Sequence, residues 1–369
     1  MVTEAHVTSG PPTSDWAIAP GEYLAEVLEE LGMTQAELSR RMGRPAQMVN
    51  ELLKGEKELT PETALQLEGV LGVPAHIWTG LEADYQLVQA REAARTSLET
   101  EEGLLPQFPW RELCAMGMVQ QARHRAVKVA ELRRFFGVAT LAAIPEVRAY
   151  QPAFRRQHSG ADHAYAVAAW LRAGKLMADA IETREFQAER LPDCVAEVRG
   201  FTCEDPSTGF PRLRSELALC GVAVVALPHF PGTGINGAVF WERRASVERA
   251  VVLVTLRRKY SDTFWFSLLH ELGHVLLHKP SRHSVFIDDA VTDSAKEAEA
   301  NAFAGNALLE AEAYQRFVLS GNFSEAAVQR FAHSQGVCDG VVVGRLQIEQ
   351  RIDYRALNHL RVQYAFTAR

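Results

Sequence analysis

No apolar run of 18 residues occurs in the 369-residue sequence, so no segment is long enough to span a bilayer as a helix. Met1 to Asp15 carry acids, prolines and polar side chains where a secretory leader would place a basic stretch before an apolar one. Cytoplasmic residence without a membrane partner is the expectation. Cysteine is sparse and scattered: Cys114, Cys194, Cys203, Cys220 and Cys338 are odd in number, far apart and never in a C-x-x-C pair. That argues against a disulfide framework or a thiolate metal site and leaves small core residues. Positive charge is scarce at the N-terminal end. Residues 1–85 hold five basic against 14 acidic residues, a balance of −9 within a total of −7, so the remainder is near +2.

What is present is ordinary globular composition, 47% hydrophobic and 23% charged, in a chain long enough for two or three domains. Residues 20–85 are punctuated like a compact helical module. Pro20-Gly21 precedes an amphipathic run from Glu22 to Leu31, which Gly32 ends. Thr34-Gln35-Ala36-Glu37 is a capping box opening a second helix through Met42. Pro45 opens a third to Lys54, stopped by Gly55, and Thr60-Pro61 starts a fourth that ends at Gly72.

Two short helices joined by a tight glycine-containing turn, framed by supporting helices, make a DNA-reading helix-turn-helix, with Pro45 to Lys54 as the recognition helix. Met33 to Gly43, with Gln47, Val49, Asn50, Leu53 and Gly55, resembles the XRE class. Pro20-Gly21-Glu22, Leu59 to Leu65 and Ile77-Trp78 are similar to its HigA-type antitoxin branch. The resemblance implies that Thr34, Gln35, Gln47 and Asn50 face bases or backbone and that Arg44 and Lys54 meet phosphates. Operator DNA, bound by a homodimer, is the implied partner. The acidic balance opposes this except where Arg40, Arg41, Arg44, Lys54 and Lys57 cluster, so protein interaction is the other use of the module.

Residues 86–106 suit a polar connecting helix and loop, and helical patterning resumes from Pro109 to about Leu191. The basic stretch Arg123, Arg125, Lys128, Arg133 and Arg134 is first a solvated helix face and second a nucleic-acid contact, and single-stranded nucleic acid is a further candidate partner of the chain, as effector. Strands follow at Val222–Leu227, Ile235–Trp241 and Val251–Thr255, short β-branched runs that predict a small, mostly antiparallel sheet. One of the three can serve as an edge for an extended substrate.

The next apolar run, Phe264 to His278, holds His270-Glu271-Leu272-Gly273-His274. At about 100° per residue, positions four apart differ by about 40° around a helix, so both histidines can share one metal from one face. H-E-x-x-H inside a helix reads as a zinc peptidase centre with Glu271 as base. The competing account is two buried core histidines.

A catalytic zinc needs a third protein ligand and an open position. Glu297 is the candidate, on a helix spanning Asp293 to Gly305, although Ser294-x-x-Glu297 is also a capping box. Glu299 is its rival, lying about 200° away around a helix, so only one of the two can face the metal. Asn301, four residues after Glu297, can orient a ligand. Tyr260, His278 and His283 are candidate oxyanion or auxiliary groups, and His278 equally suits the helix end.

The Phe264-Trp265-Phe266 lead-in, the H-E-L-G-H segment with His278, Phe286-Ile287-Asp288 and Glu297-x-x-Ala300-Asn301-x-Phe303-Ala304 together resemble the ImmA/IrrE family of metallopeptidases. Gly340 to Gln347 matches the subgroup in which a HigA-like module precedes the peptidase. The resemblance puts the third ligand on Glu297. It implies a Zn2+ site, with Mn2+ as the alternative ion, and cleavage of a repressor or antitoxin, or of the chain itself, in a stress response. Glu271 would take a proton from the attacking water and pass it to the leaving amine.

The fold expected is α+β and mostly helical: a five-helix helix-turn-helix module (17–85), a helical linker domain (86–200), a zincin-like metallopeptidase core (201–312) and a C-terminal helical segment (313–369). Within the last, Ser324 to Gln350 spaces like a second helix-turn-helix or, preferably, a packing hairpin. The function expected is a DNA-binding regulator with zinc-dependent endopeptidase activity. Its alternative is a non-catalytic antitoxin or repressor whose peptidase-like domain senses metal, nucleic acid or another ligand.

Overall fold

The computed structural model describes residues 17–151, 153–154, 163–244, 246–257, 259–279, 285–287 and 294–366. Contacts divide the chain into two compact units, Met1–Thr100 and Glu101–Arg369. In the first, α1 (Pro20–Glu30), α2 (Gln35–Met42), α3 (Ala46–Leu53), α4 (Pro61–Leu71) and α5 (Ala75–Glu101) make the five-helix module. Leu24, Leu38, Val49, Leu52, Leu67 and Trp78 form its buried core. Thr34 caps α2 by accepting a hydrogen bond from the Glu37 amide at 3.2 Å. The Glu37 carboxylate pairs instead with Arg40 and Arg41, at 2.7 and 2.8 Å, so only half of the predicted capping box is used. Gly21 has its own packing reason: a Cβ there would lie 2.5 Å from the carbonyl oxygens of Leu52 and Leu53, so glycine lets α1 rest on the end of α3.

The second unit is built on a mixed four-stranded sheet in the order β1-β3-β2-β4, with β1 (Val222–Leu227), β2 (Gly237–Arg244), β3 (Val247–Thr255) and β4 (Val285–Ile287). The three predicted strands are present, and two of the three ladders are antiparallel. β1 runs parallel to β3, with Val224 opposite Val252. A strand buried on both faces needs an apolar residue at every position, as Val-Ala-Val-Val-Ala-Leu supplies. Val222, Val224, Val252 and Val254 face one layer together with Phe264, Trp265, Leu268 and Leu272. On the other face Gly174, in helix Ala164–Ala178, receives the side chains of Leu227 and Leu253. Among the described residues the edges of the sheet are β1 and β4. Of the three predicted strands, β2 and β3 are internal and only β1 is an edge.

The helix Ser261–Leu277 is apolar on nearly every side and buried along most of its length, as a central helix must be. Its start is held by a segment far along the chain. Arg361 grips the buried Asp262 carboxylate through two parallel bonds of 3.0 and 2.7 Å, the Ser261 amide donates to Val362 O at 2.9 Å, and Trp265 Nε1 donates to the Tyr364 hydroxyl at 3.0 Å. Helices Glu325–Gln335 and Asp339–Ile348 pack as a hairpin on this core through Val328, Val341, Val342 and Leu346.

Three members of the predicted basic stretch are paired. Arg125 meets Glu102 at 3.2 Å, Arg134 meets Glu131 at 2.7 Å, and Arg133 meets the buried Glu101 at 3.0 Å. Glu101 also accepts from the Thr140 hydroxyl and from the Leu141 amide at 2.9 Å. Burial acts to raise its carboxyl, but Arg133, Thr140 and Leu141 outweigh that and hold it below the ordinary range. A carboxyl depressed by folding stabilises above its unfolded pKa, and the contribution is lost as pH falls through the folded one. Glu101→Gln is therefore expected to lower the thermal midpoint at pH 7, and the deficit should shrink in acid. Melting curves of both proteins from pH 7 to pH 3 check this, and a deficit that stays constant with pH contradicts it.

Candidate metal centre

The i, i+4 spacing puts His270 and His274 on one side of the central helix, with Nε2 atoms 3.0 Å apart. Both are buried. The helix Ser294–Leu308 crosses them closely because the contact residues are small. A Cβ on Gly273 would lie 3.3 Å from the Cα of Ala300 and 3.1 Å from the Phe303 ring. That approach brings Glu297 to both histidines, 3.2 Å from His270 Nε2 and 3.4 Å from His274 Nε2. Burial acts to raise the Glu297 carboxyl, but hydrogen bonds from His270 and His274 outweigh it and hold it at about 2.

These three residues form a group whose ligand atoms all lie within 4.8 Å of one another. Donors about 2.0–2.1 Å from a tetrahedral ion stand about 3.3 Å apart, and the two Nε2 atoms 3.0 Å apart, with Glu297 Oε2 3.2 Å from one and Oε1 3.4 Å from the other, leave room for one small divalent cation. Two imidazoles and one carboxylate are a zinc-type donor set, and also one that Mn2+ accepts.

The remaining ring nitrogens are held from outside. His270 Nδ1 lies 3.1 Å from Asn301 Oδ1. The amide oxygen can only accept, so Nδ1 carries a proton, and the proton that Nε2 shares with Glu297 is the one a metal would displace. On the other side His278 Nε2 lies 2.8 Å from Glu299 Oε2, and His278 Nδ1 lies 3.1 Å from His274 Nδ1. A carboxylate accepting from His278 Nε2 leaves its Nδ1 to accept from His274, so His274 Nδ1 carries a proton in the same way. Asn301 thus has its predicted contact. Glu299, the rival ligand, grips His278 instead.

Glu271 is 1% exposed and points toward the sheet. A Cβ on Gly237, the first residue of β2, would lie 2.7 Å from both Cγ and Cδ of Glu271, so the carboxylate occupies space that any other residue would fill. Gly237 carries no signature by itself in the sequence, because its partner lies 34 positions on.

The structure does not bring Tyr260 to this group. It precedes the first turn of the central helix, about 15 Å of helical rise before His270, with the Arg361 guanidinium 3.9 Å from its ring centre. His283 lies outside the described residues. In the first unit Thr34 and Gln35 sit at the start of α2, and Gln47 and Asn50 lie on α3, with Lys54 at its end. Thr34, Gln35, Gln47 and Lys54 are exposed, and Asn50 and Arg44 are half-buried. Arg44 is engaged internally, 2.5 Å from Glu62 and 3.0 Å from Gln66, and Gln47 donates to Glu51 at 2.9 Å.

Two family models match. One, described as helix-turn-helix, covers residues 24–78, and the other, described as an IrrE N-terminal-like domain, covers residues 225–343, which include His270, Glu271, His274 and Glu297. The chain is 32% identical over 78 residues to YddM of Escherichia coli (strain K12), described as an uncharacterized HTH-type transcriptional regulator, matching 83% of that protein and 21% of this one. It is 30% identical over 77 residues to virulence-associated protein I of Dichelobacter nodosus, 71% of that protein and 21% of this chain. A solved addiction-module antidote protein of the HigA family from Coxiella burnetii is 32% identical over 23% of this chain and 92% of its own, with a TM-score of 0.22. The chain belongs to the XRE-type helix-turn-helix family and carries, in its second unit, an IrrE N-terminal-like domain of the ImmA/IrrE peptidase family.

Proposed function

We propose that the chain is a DNA-binding transcriptional regulator that also cleaves a repressor- or antitoxin-type protein, or a second copy of itself, by metal-dependent peptide hydrolysis. The observation that carries the catalytic half is the convergence of His270, His274 and Glu297 on one point beside the buried Glu271. A bound Zn2+, or Mn2+, supplies a Lewis acid for the scissile carbonyl and lowers the pKa of the attacking water. His270, His274 and Glu297 would hold the ion, and Asn301 and His278 fix the two rings. Glu271 takes the proton of the attacking water and delivers it to the departing amine nitrogen. Its burial keeps competing solvent from the carboxylate. β4 is the sheet edge next to β2, the strand whose first residue touches Glu271, so an extended substrate adds a strand there.

The test is incubation of the full chain, loaded with zinc or manganese, with purified repressor- and antitoxin-type proteins and alone, with fragments read by mass spectrometry. A single defined cut that chelation abolishes supports the reading. If stoichiometric metal is present and every candidate stays whole, the domain is a metal-responsive sensor rather than a peptidase. The DNA half is separate. In gel shifts on the chain's own upstream region, Gln47→Ala on α3 is expected to weaken binding about tenfold, the order of one lost base contact. Arg44→Ala should matter less, because Glu62 and Gln66 already hold that guanidinium. Equal retardation by wild type and Gln47→Ala would remove α3 from the readout.

A further inference from the structure

Four of the five cysteines, separated in sequence, meet as two pairs in the second unit. Cys194 Sγ and Cys220 Sγ lie 2.6 Å apart, well inside the ordinary contact distance of two sulfurs, across 26 positions of chain. Cys203 and Cys338 meet at one spot through Thr202, whose hydroxyl lies 3.1 Å from the Cys338 amide and 3.8 Å from Cys203 Sγ. All four are free thiols. Cys203 is exposed, Cys194 and Cys338 are half-buried and Cys220 is buried, so each pair has a reachable member.

Both pairs hang on one helix, Leu191–Phe201. Cys194 lies in its first turn and Cys203 two residues past its end, while the partners cap helices Pro206–Leu219 and Asp339–Ile348. The same helix braces the metal centre. Arg199 donates to Ala307 O at 2.6 Å and Asn306 O at 3.1 Å, at the far end of the helix that carries Glu297.

We propose that Cys203–Cys338 and Cys194–Cys220 are two oxidative modification sites, each closed to a disulfide by a hydroperoxide, which together staple the Leu191–Phe201 helix to its neighbours. In each pair one thiolate attacks the peroxide oxygen, the O–O bond breaks, and a sulfenic acid forms with release of water or an alcohol. The second thiol displaces the sulfenic oxygen, forming the S–S bond and releasing water. Two thiols are oxidised, one peroxide is reduced, and both thiol protons end in the released products. Burial, with the neighbouring thiol adding to it, pushes Cys194 and Cys338 up to about 12, which keeps both pairs reduced until oxidant is abundant. Exposure sets the order, with Cys203 reacting first and Cys338 resolving it.

The experiment treats the full chain with increasing hydrogen peroxide, alkylates it in denaturant and maps the peptides. The expected result is a Cys203–Cys338 cross-link at low dose and a Cys194–Cys220 cross-link at higher dose, each lighter by two hydrogens, with Cys114 alkylated throughout. The thermal midpoint should rise with each bond and return on adding dithiothreitol. Cys203→Ser, at an exposed position, should lose the first link only, and Cys194→Ser the second only. Five alkylated thiols after oxidation, sulfinic acids without cross-links, or links between molecules would overturn the proposal.

Discussion

Glu271→Gln is expected to slow peptide cleavage by about 10²–10⁴-fold, the range supplied by a positioned general base. The substitution keeps size and burial, so the packing beside Gly237 survives and only the proton acceptor is lost. Metal content and thermal midpoint should stay at wild-type values, and cleavage measured under single-turnover conditions isolates the loss. A second variant reaches the same carboxylate without touching it. Gly237→Ala places a methyl group 2.7 Å from Cγ and Cδ of Glu271 and must push that side chain aside, so it should also depress cleavage while the ion stays bound. If both variants cut at the wild-type rate, Glu271 is not the base.

The second large effect separates two glutamates two residues apart. Glu297→Gln removes a carboxylate in contact with both histidine Nε2 atoms, whereas Glu299→Gln removes one that acts only through His278. Loss of an outer group of that kind costs about 10–100-fold in metal affinity. Glu297→Gln should exceed that range, and His270→Ala should leave the protein metal-free. Competition against a zinc-binding dye ranks the three. Equal losses for the two glutamate variants, or a larger one for Glu299→Gln, would reverse their roles. In all of them affinity should fall as pH drops, because imidazole binds metal only when unprotonated.

The histidine pair was legible because two residues four apart in an apolar helix require no knowledge of the rest of the fold. Glu297 was half legible: periodicity allows either glutamate to face the metal but not both, and family resemblance made the choice. Sequence spacing did not reveal that Glu299 would be used as well, at one remove through His278. The first four helices of the first unit were readable to within a residue or two from their prolines, glycines and Thr caps, whereas α5 runs unbroken from Ala75 to Glu101, through the segment read as a separate connecting helix. The sheet was readable as strands but not as an order, since β1 pairs with β3 across the intervening β2 and carries no local mark of doing so. Gly237 against Glu271, Gly273 against Ala300 and the two thiol pairs are contacts between distant segments, and no local pattern announces them.

The grip of Arg361 on Asp262 has a consequence for the order of events during synthesis. These residues stand 99 positions apart, and Val362 and Tyr364 likewise reach back to Ser261 and Trp265. Chains emerge from the ribosome at about 5–20 residues per second, so Asp262 waits roughly 5–20 seconds for its cation. Until then a carboxylate destined for burial stays hydrated, and the helix holding His270 and His274 lacks its fixed first turn. The group around His270 and His274 therefore takes its fixed form only after residues 361–364 have emerged, by which time the N-terminal unit has had time to fold.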